Sequence, residues 1–405
     1  MTRANPKTPA KIEDSSAKTY DIEQVVRERY AAGAEAVQPE LCCPVVDYNH
    51  EFLDVLPPEI LEKDYGCGDP SKYVSPGEVV VDLGSGAGKV CYILSQKVGR
   101  RGAVIGVDCN DQMLALARKY ETEIGKRIGY QNVRFVKGRI QDLALDAERV
   151  AALLRRHPVG TIEELSAFET ECERLRRDEP MIRDNSVDVV VSNCVLNLVR
   201  PADKRRLFGE LFRVLKRGGR AVISDIVSDE DPTPDILGDP DLWSGCIAGA
   251  FREDRFLQMF EEARFYGIEI LSRSKEPWHT INGIEFRSMT VRAYKGKEGA
   301  CLERHQAVTY RGPWRSVTDD DGHVLHRGRR MAVCDKTFKI YTDPKGPYAD
   351  DLVPIKPLID VPRDDAKPFD CHSPQFRHPR QTKGEDYRET TGSDPTQICD
   401  TDGCC

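Results

Sequence analysis

Positive charge is in short supply: 59 Lys and Arg against 67 Asp and Glu leave a formal net charge of −8 over 405 residues. That balance gives no electrostatic reason to expect nucleic acid or an anionic membrane surface as a partner. No apolar run approaches the length of a membrane span, and the opening Met-Thr-Arg-Ala-Asn-Pro-Lys has no apolar signal core, so a soluble, cytoplasmic protein is expected. Histidines number 8, and none of the 14 cysteines stands in a Cys-x-x-Cys pair, which leaves a zinc-finger reading without its ligand spacing. A reducing cytosol also removes the disulfide scaffold as an explanation. Isolated cysteines such as Cys91, Cys109, Cys172, Cys301 and Cys334 therefore read as small buried hydrophobes. A hydrophobic content of 40% in a chain of this length supplies cores for two or three domains.

What is present is organised around Glu78-Val-Val-Val-Asp-Leu-Gly-Ser-Gly-Ala-Gly-Lys89. Three valines followed by Asp82, Leu83 and a glycine cluster predict a buried parallel strand turning sharply into a helix. Gly84, Gly86 and Gly88 let the backbone make that turn and let a ligand approach the helix N-terminus. The spacing is Gly-x-Gly-x-Gly, not the dinucleotide pattern Gly-x-Gly-x-x-Gly, and Asp82 stands two positions before the first glycine. An anion there repels a pyrophosphate and suits the ammonium group of a methionine moiety. The next strand ends in Asp108, placed to accept both ribose hydroxyls. The cofactor expected is S-adenosyl-L-methionine.

In chain order, residues 1–18 are polar and expected to be disordered. Residues 20–34 carry apolar positions at helical spacing and predict a cap helix over the cofactor site. Cys42 and Cys43 form a vicinal pair in an extended segment set by Pro44. Cys67, between Gly66 and Gly68, reads as an accessible thiol on a flexible loop, with Tyr65 beside it to cover the cofactor. Helices are expected over 89–97 and 110–124 and a third strand over 132–138, followed by Ile140 and Gln141 where an adenine is met. Residues 143–181 insert charged helical text that reads as a solvated hairpin. The strand 187–194 ends in Asn193 and Cys194, at the sheet edge where α/β folds bind ligands. A helix over 204–215, a strand over 221–225, a small-residue segment holding Cys246 and a helix over 254–263 follow. Residues 285–293 alternate like a strand, from residue 307 the text turns β-like over 307–311, 331–335 and 338–342, and residues 359–405 read as a disordered, cysteine-containing tail.

Four segments in this order, Asp-Tyr-Gly-Cys67-Gly, Val-Val-Asp-Leu-Gly-Ser-Gly, Val-Ser-Asn-Cys194-Val-Leu-Asn-Leu-Val and Leu-Trp-Ser-Gly-Cys246-Ile-Ala-Gly-Ala, resemble the arsenite S-adenosylmethionine methyltransferases. The glycine motif is generic to class I methyltransferases; the cysteine motifs are specific to arsenic methylation. The resemblance covers about residues 20–358 except the 143–181 insertion. It implies an α/β, doubly wound, Rossmann-like methyltransferase domain over 19–230, an arsenic-binding region over 231–298 and a small β-rich module over 299–358. It places arsenic(III) on Cys67, Cys194 and Cys246, and a thiol-exchange role on Cys42 or Cys43. It matches cofactor contacts to Tyr65, Gly84, Ser85, Gly86, Asp108, Met113, Ile140, Gln141 and Asn193. The implied activity is transfer of methyl groups to arsenite or methylarsenite, giving mono- and dimethylated arsenicals, with a third transfer left open. Thioredoxin or glutathione would serve as reductant, and a monomer is expected. The chemistry agrees: arsenic(III) is soft, three thiolates hold it as a trigonal pyramid, and its lone pair is left to attack a methyl group. Rival readings are a class I methyltransferase acting on a small organic molecule and a non-catalytic protein that sequesters soft metals.

Overall fold

The computed structural model describes residues 21–38, 48–63, 65–372 and 375–383. The expectations for residues 1–18, the Cys42/Cys43 pair and the end of the tail lie outside them. Two compact units divide the chain, Met1–Lys295 and Gly296–Cys405.

The first unit is built on strands β1 (Val79–Leu83), β2 (Ala103–Asp108), β3 (Val133–Lys137), β4 (Val187–Asn193), β5 (Leu215–Ser228), β6 (Tyr266–Arg273) and β7 (Ile284–Tyr294). Their order across the sheet is β3-β2-β1-β4-β5-β7-β6, with short strands Phe251–Arg252 and His279–Ile281 added at β5 and β7. The first five run parallel, and β7 inserts antiparallel to both neighbours. This is the class I methyltransferase sheet that the glycine motif predicts. The valine-rich strand text reflects burial on both faces. Val81, Leu83, Ile105, Val107 and Ile223 pack on one side with Leu207, Phe208 and Leu211 of helix Pro201–Val214. Val80, Val104, Val189, Val191 and Val222 pack on the other with Val90, Ile93 and Leu94 of helix Lys89–Val98.

Strands β6 and β7 lie within residues 231–298, so that region completes the sheet instead of standing apart from it. The 110–124 helix is two, Asp111–Lys119 and Glu121–Ile128, meeting at Tyr120. The insertion is a helical pair as expected, Ala147–Arg156 capped by Asp146 and Ile162–Asp178 opened by a Thr161/Glu164 capping box. Only Cys172 and Leu175 of these two helices are buried, and ion pairs such as Arg149–Glu179 and Arg176–Asp142 lace the surface.

In the second unit, Ala307–Tyr310 is flanked antiparallel by Arg330–Ala332 and Leu352–Ile355, over a core of Val308, Tyr310, Leu325, Met331, Val333, Tyr341 and Leu352. Residues 338–342, read as a strand, belong largely to helix Asp335–Tyr341, which Cys334 caps through the Thr337 N–H. The reason is local: a sulfur at the N-cap starts the helix, and Thr337 and Tyr341, four apart, bury the same face. The unit also runs further than the β-like text. Residues 359–372 and 375–383 are described, with Lys367–Pro368 paired to Leu302–Glu303 and Arg377 ion-paired to Glu303. The expected tail therefore does not begin at 359. Among the described residues no helix is long and apolar enough to cross a membrane.

Candidate active site

The order β3-β2-β1-β4-β5 puts the sheet's switch point between β1 and β4, where open α/β folds form their crevices at the carboxyl ends of the strands. A cavity of about 350 Å³ opens there. Gly84, Gly86 and Gly88 have φ of 68°, 50° and 88°, a left-handed turn that side-chain-bearing residues resist. A Cβ on Gly86 would meet nothing within 4 Å, whereas one on Gly84 would strike Val195. The turn is fastened to β2: Gly84 and Ser85 donate to the Val107 carbonyl at 2.8 and 3.0 Å, and Gly86 N–H donates to Asp108 Oδ2 at 2.9 Å. The other oxygen of Asp108 accepts from Asn110 N–H at 2.8 Å. Burial raises this carboxyl above its ordinary range against the pull of those N–H donors.

Three features fit this cavity to S-adenosylmethionine. The Ser85 hydroxyl borders it, buried and with no hydrogen-bond partner, an unspent polar group of the kind a ligand satisfies. Asp82, 2% exposed, and Asp108 both border it, two carboxylates for an ammonium and a ribose. Val26, Met113 and Ile140 supply apolar wall, and Gln141 lines the same space. The helix expected over 20–34 is Ile22–Glu35, capped by Asp21, and Glu23, Arg27 and Tyr30 bring it onto the cavity. Tyr65 also lines the cavity, donating to the Gly33 carbonyl at 3.0 Å and meeting Tyr30 edge-on at 6.1 Å.

At the end of β4, Asn193 is a clamp. Its Oδ1 accepts from the Cys67 and Gly68 N–H groups at 2.8 and 2.9 Å, and its Nδ2 donates to the Gly68 carbonyl at 2.8 Å and the Tyr48 hydroxyl at 3.1 Å. A Cβ on Gly66 would collide with the Asn193 amide, and one on Gly68 with the Ser224 side chain. The glycines around Cys67 thus serve close approach of the loop to the sheet, not flexibility. Cys67 is buried at 6% exposure, which corrects the expectation of an accessible thiol.

Cys67, Cys194 and Cys246 share one apolar cluster with Ile226, Ile236, Trp243 and Phe286. Cys194 also borders the cavity. The sulfurs of Cys194 and Cys246 lie with an oxygen of Asp225 within 4.8 Å of one another, a group that does not include Cys67. The Cys246 thiol points at the Cys194 carbonyl, 3.2 Å away. Both cysteines have φ of 62°, costing about 1–3 kcal/mol each for a residue other than glycine.

Sequence reading missed the groups beneath these thiols. Asp225, fully buried on β5, accepts N–H bonds from Leu196 at 2.8 Å, Ile226 at 2.8 Å and Asn197 at 3.4 Å. The Asn197 amide also donates to the Cys246 carbonyl at 3.2 Å. Lys204, buried from the helix below, donates to the Gly249 carbonyl at 2.6 Å and lies 3.7 Å over the Phe251 ring. Burial pushes the Asp225 carboxyl up to about 7 and the Lys204 ammonium down to about 8. Since Asp225 takes up a proton on folding between its ordinary value and 7, its contribution to stability falls as pH rises through that window. Asp225→Asn should remove that slope, which approaches about 1.4 kcal/mol per pH unit. It should also lower stability below pH 5 by about 1–3 kcal/mol, because an NH₂ then faces a backbone donor. Urea unfolding of both proteins between pH 4 and 8 measures both effects, and parallel curves would contradict the assignment.

A family model described as "Methyltransferase domain" matches residues 74–179 and 171–264, and one described as "Domain of unknown function (DUF8838)" matches residues 297–387. The chain is 31% identical over 304 residues to an arsenite methyltransferase of Aquipseudomonas alcaligenes, covering 72% of this chain and 78% of that one. It is 31% identical over 334 residues to the arsenite methyltransferase of Rattus norvegicus, covering 79% and 80%. A crystal structure of an arsenic (III) S-adenosylmethionine methyltransferase from Chlamydomonas reinhardtii shares its fold, with TM-score 0.52 at 23% identity over 85% of this chain and 100% of that one. Similarity at that level across most of both chains establishes that this chain belongs to the arsenite methyltransferase family.

Proposed function

We propose that this chain transfers methyl groups from S-adenosylmethionine to trivalent arsenic held by the thiols of Cys194, Cys246 and Cys67, giving mono- and dimethylated arsenicals. The observation that carries the reading is the position of Cys194, which belongs at once to the wall of the cofactor cavity and to the buried thiol cluster. Arsenite exchanges hydroxyls for thiols, one water leaving for each As–S bond formed. Cys194 and Cys246 supply the first two bonds. Cys67, on the loop that Asn193 clamps, supplies the third by a shift of its side chain or loop. The apolar surroundings of Ile236, Trp243 and Phe286 exclude water and leave the arsenic lone pair as the reactive face. S-adenosylmethionine, when bound, supplies a methyl group on a positively charged sulfur. Asp82, Ser85 and Asp108 would hold its polar groups and Tyr65 would close over it, so positioning rather than proton transfer is the protein's task.

Methyl transfer oxidises arsenic formally from the trivalent to the pentavalent state. Two thiols closing to a disulfide return two electrons and release two protons; Cys42 or Cys43 with a site cysteine would supply that pair, and thioredoxin or glutathione would reduce it again. A monomer in the cytoplasm suits such a cycle. The test is arsenic speciation after incubation of purified protein with arsenite, S-adenosylmethionine and a thiol reductant. Mono- and dimethylated products are expected; unchanged arsenite, with cofactor shown to bind, would favour a small organic substrate instead.

A further inference from the structure

Three cysteines of the second unit converge although the sequence presents them as isolated. Cys301 precedes the short strand Leu302–Glu303, Cys334 precedes the helix Asp335–Tyr341, and Cys371 follows the short strand Lys367–Pro368. The two short strands pair antiparallel, and Phe369 N–H donates to the Cys301 carbonyl at 2.9 Å. Those contacts set positions 301 and 371 side by side. Arg304, one residue past the first strand, pairs with Asp335 at 2.8 Å and draws in the start of the helix. The three sulfurs lie within 4.8 Å of one another. Cys334 is buried, Cys301 and Cys371 are half-buried, and none of the three is bridged in a disulfide. Their lone packing role as hydrophobes, expected for Cys301 and Cys334, does not describe this arrangement.

The donor set is three sulfurs and nothing else among the described residues. Asp335, adjacent in sequence, is spent on Arg304 and Lys339, each at 2.8 Å, and no histidine or carboxylate belongs to the group. A closed structural zinc site takes four ligands, and hard cations take oxygen. Three soft donors converging without a fourth among the described residues match a trigonal-pyramidal centre whose remaining direction holds a lone pair.

We propose that Cys301, Cys334 and Cys371 form a second trithiolate site, which takes trivalent arsenic. Loading exchanges three As–O bonds of arsenous acid for three As–S bonds; each thiol proton leaves with a hydroxyl as water, and no electrons move. Arsenic as the occupant rests on the function proposed above, whereas the convergence of the thiols does not.

The test loads the reduced full-length protein with arsenite, desalts it into glutathione to strip two-coordinate arsenic, and measures arsenic and zinc per chain by elemental analysis. Cys301→Ser, Cys334→Ser and Cys371→Ser should each lose one equivalent of arsenic relative to the unsubstituted protein, and the triple variant should lose one and no more. The same loss should appear in a Cys194→Ser background, where any failure of the methyl-transfer site is read separately from methylation. X-ray absorption on that background should show arsenic bound by three sulfurs. Unchanged arsenic in the single variants, losses that add up in the triple variant, or one equivalent of zinc released by Cys334→Ser would each overturn the proposal. If Cys334→Ser lowers the melting temperature through loss of its cap, the half-buried Cys301 and Cys371 variants carry the measurement.

Discussion

Cys194→Ser is expected to abolish arsenite methylation while S-adenosylmethionine affinity stays within about 3-fold, a change worth less than about 1 kcal/mol. The loss should be on the order of 10³-fold or more, the equivalent of about 4 kcal/mol of transition-state stabilisation. A hydroxyl keeps the volume and the left-handed backbone but is a hard donor that cannot replace a thiolate on a soft centre. Cys194 is the right residue to test because it borders the cavity and sits against Cys246 and Asp225. Calorimetry of cofactor binding together with product speciation separates the two effects. Methylation at an undiminished rate would remove Cys194 from the arsenic site, and a parallel loss of cofactor binding would show only a damaged cavity.

The second large effect is expected from Asp108→Ala. Its carboxylate is fixed at the end of β2 by Gly86 and Asn110 N–H bonds, so it stands ready for a ligand without reorganisation. Two hydrogen bonds from ribose hydroxyls to a charged acceptor, each worth about 1.5–3 kcal/mol, give an expected loss of cofactor affinity on the order of 10²-fold or more. The Michaelis constant for S-adenosylmethionine should rise accordingly, while arsenite loading of the reduced protein, measured without cofactor, should be unchanged. Equal cofactor affinity in variant and parent would rule out the ribose role. A loss of arsenite loading would point to a collapsed glycine turn, since Gly86 would then lack its anchor.

The central sheet was legible because its strands are buried on both faces, so that Val79 to Val81 and Val189 to Val191 are unbroken valine. Glycine spacing and the acids at strand ends located the cavity for the same reason: left-handed turns and desolvated carboxylates restrict residue choice severely. What periodicity could not reach was anything set by contact between distant segments. Asp225 closes the strand text expected over 221–225 as Asp108 closes that of β2, and that shared position was the available signal for it, although β5 itself runs on to Ser228. Its hydrogen bonds to Leu196 and Asn197, however, come from the loop after β4. The glycines beside Cys67 looked like freedom in sequence, yet they are consumed by contacts with Asn193 and Ser224. Cys301 looked solitary because its meeting with Cys371 depends on a two-residue strand pair, and Cys334 because it is drawn in by the Arg304–Asp335 ion pair; neither leaves a period to read.

The left-handed backbone at Cys194 and Cys246 has a bearing on how such a gene decays. One base separates a cysteine codon from a glycine codon, and at these two positions glycine would relieve about 1–3 kcal/mol of backbone strain, offsetting much of the packing lost with a small side chain. Backbone strain thus weakens the hold of folding on either cysteine, and under the function proposed above it is use of the thiols that keeps them in place. A lineage no longer exposed to arsenic would lose the chemistry here by single substitutions that leave the protein folded and abundant.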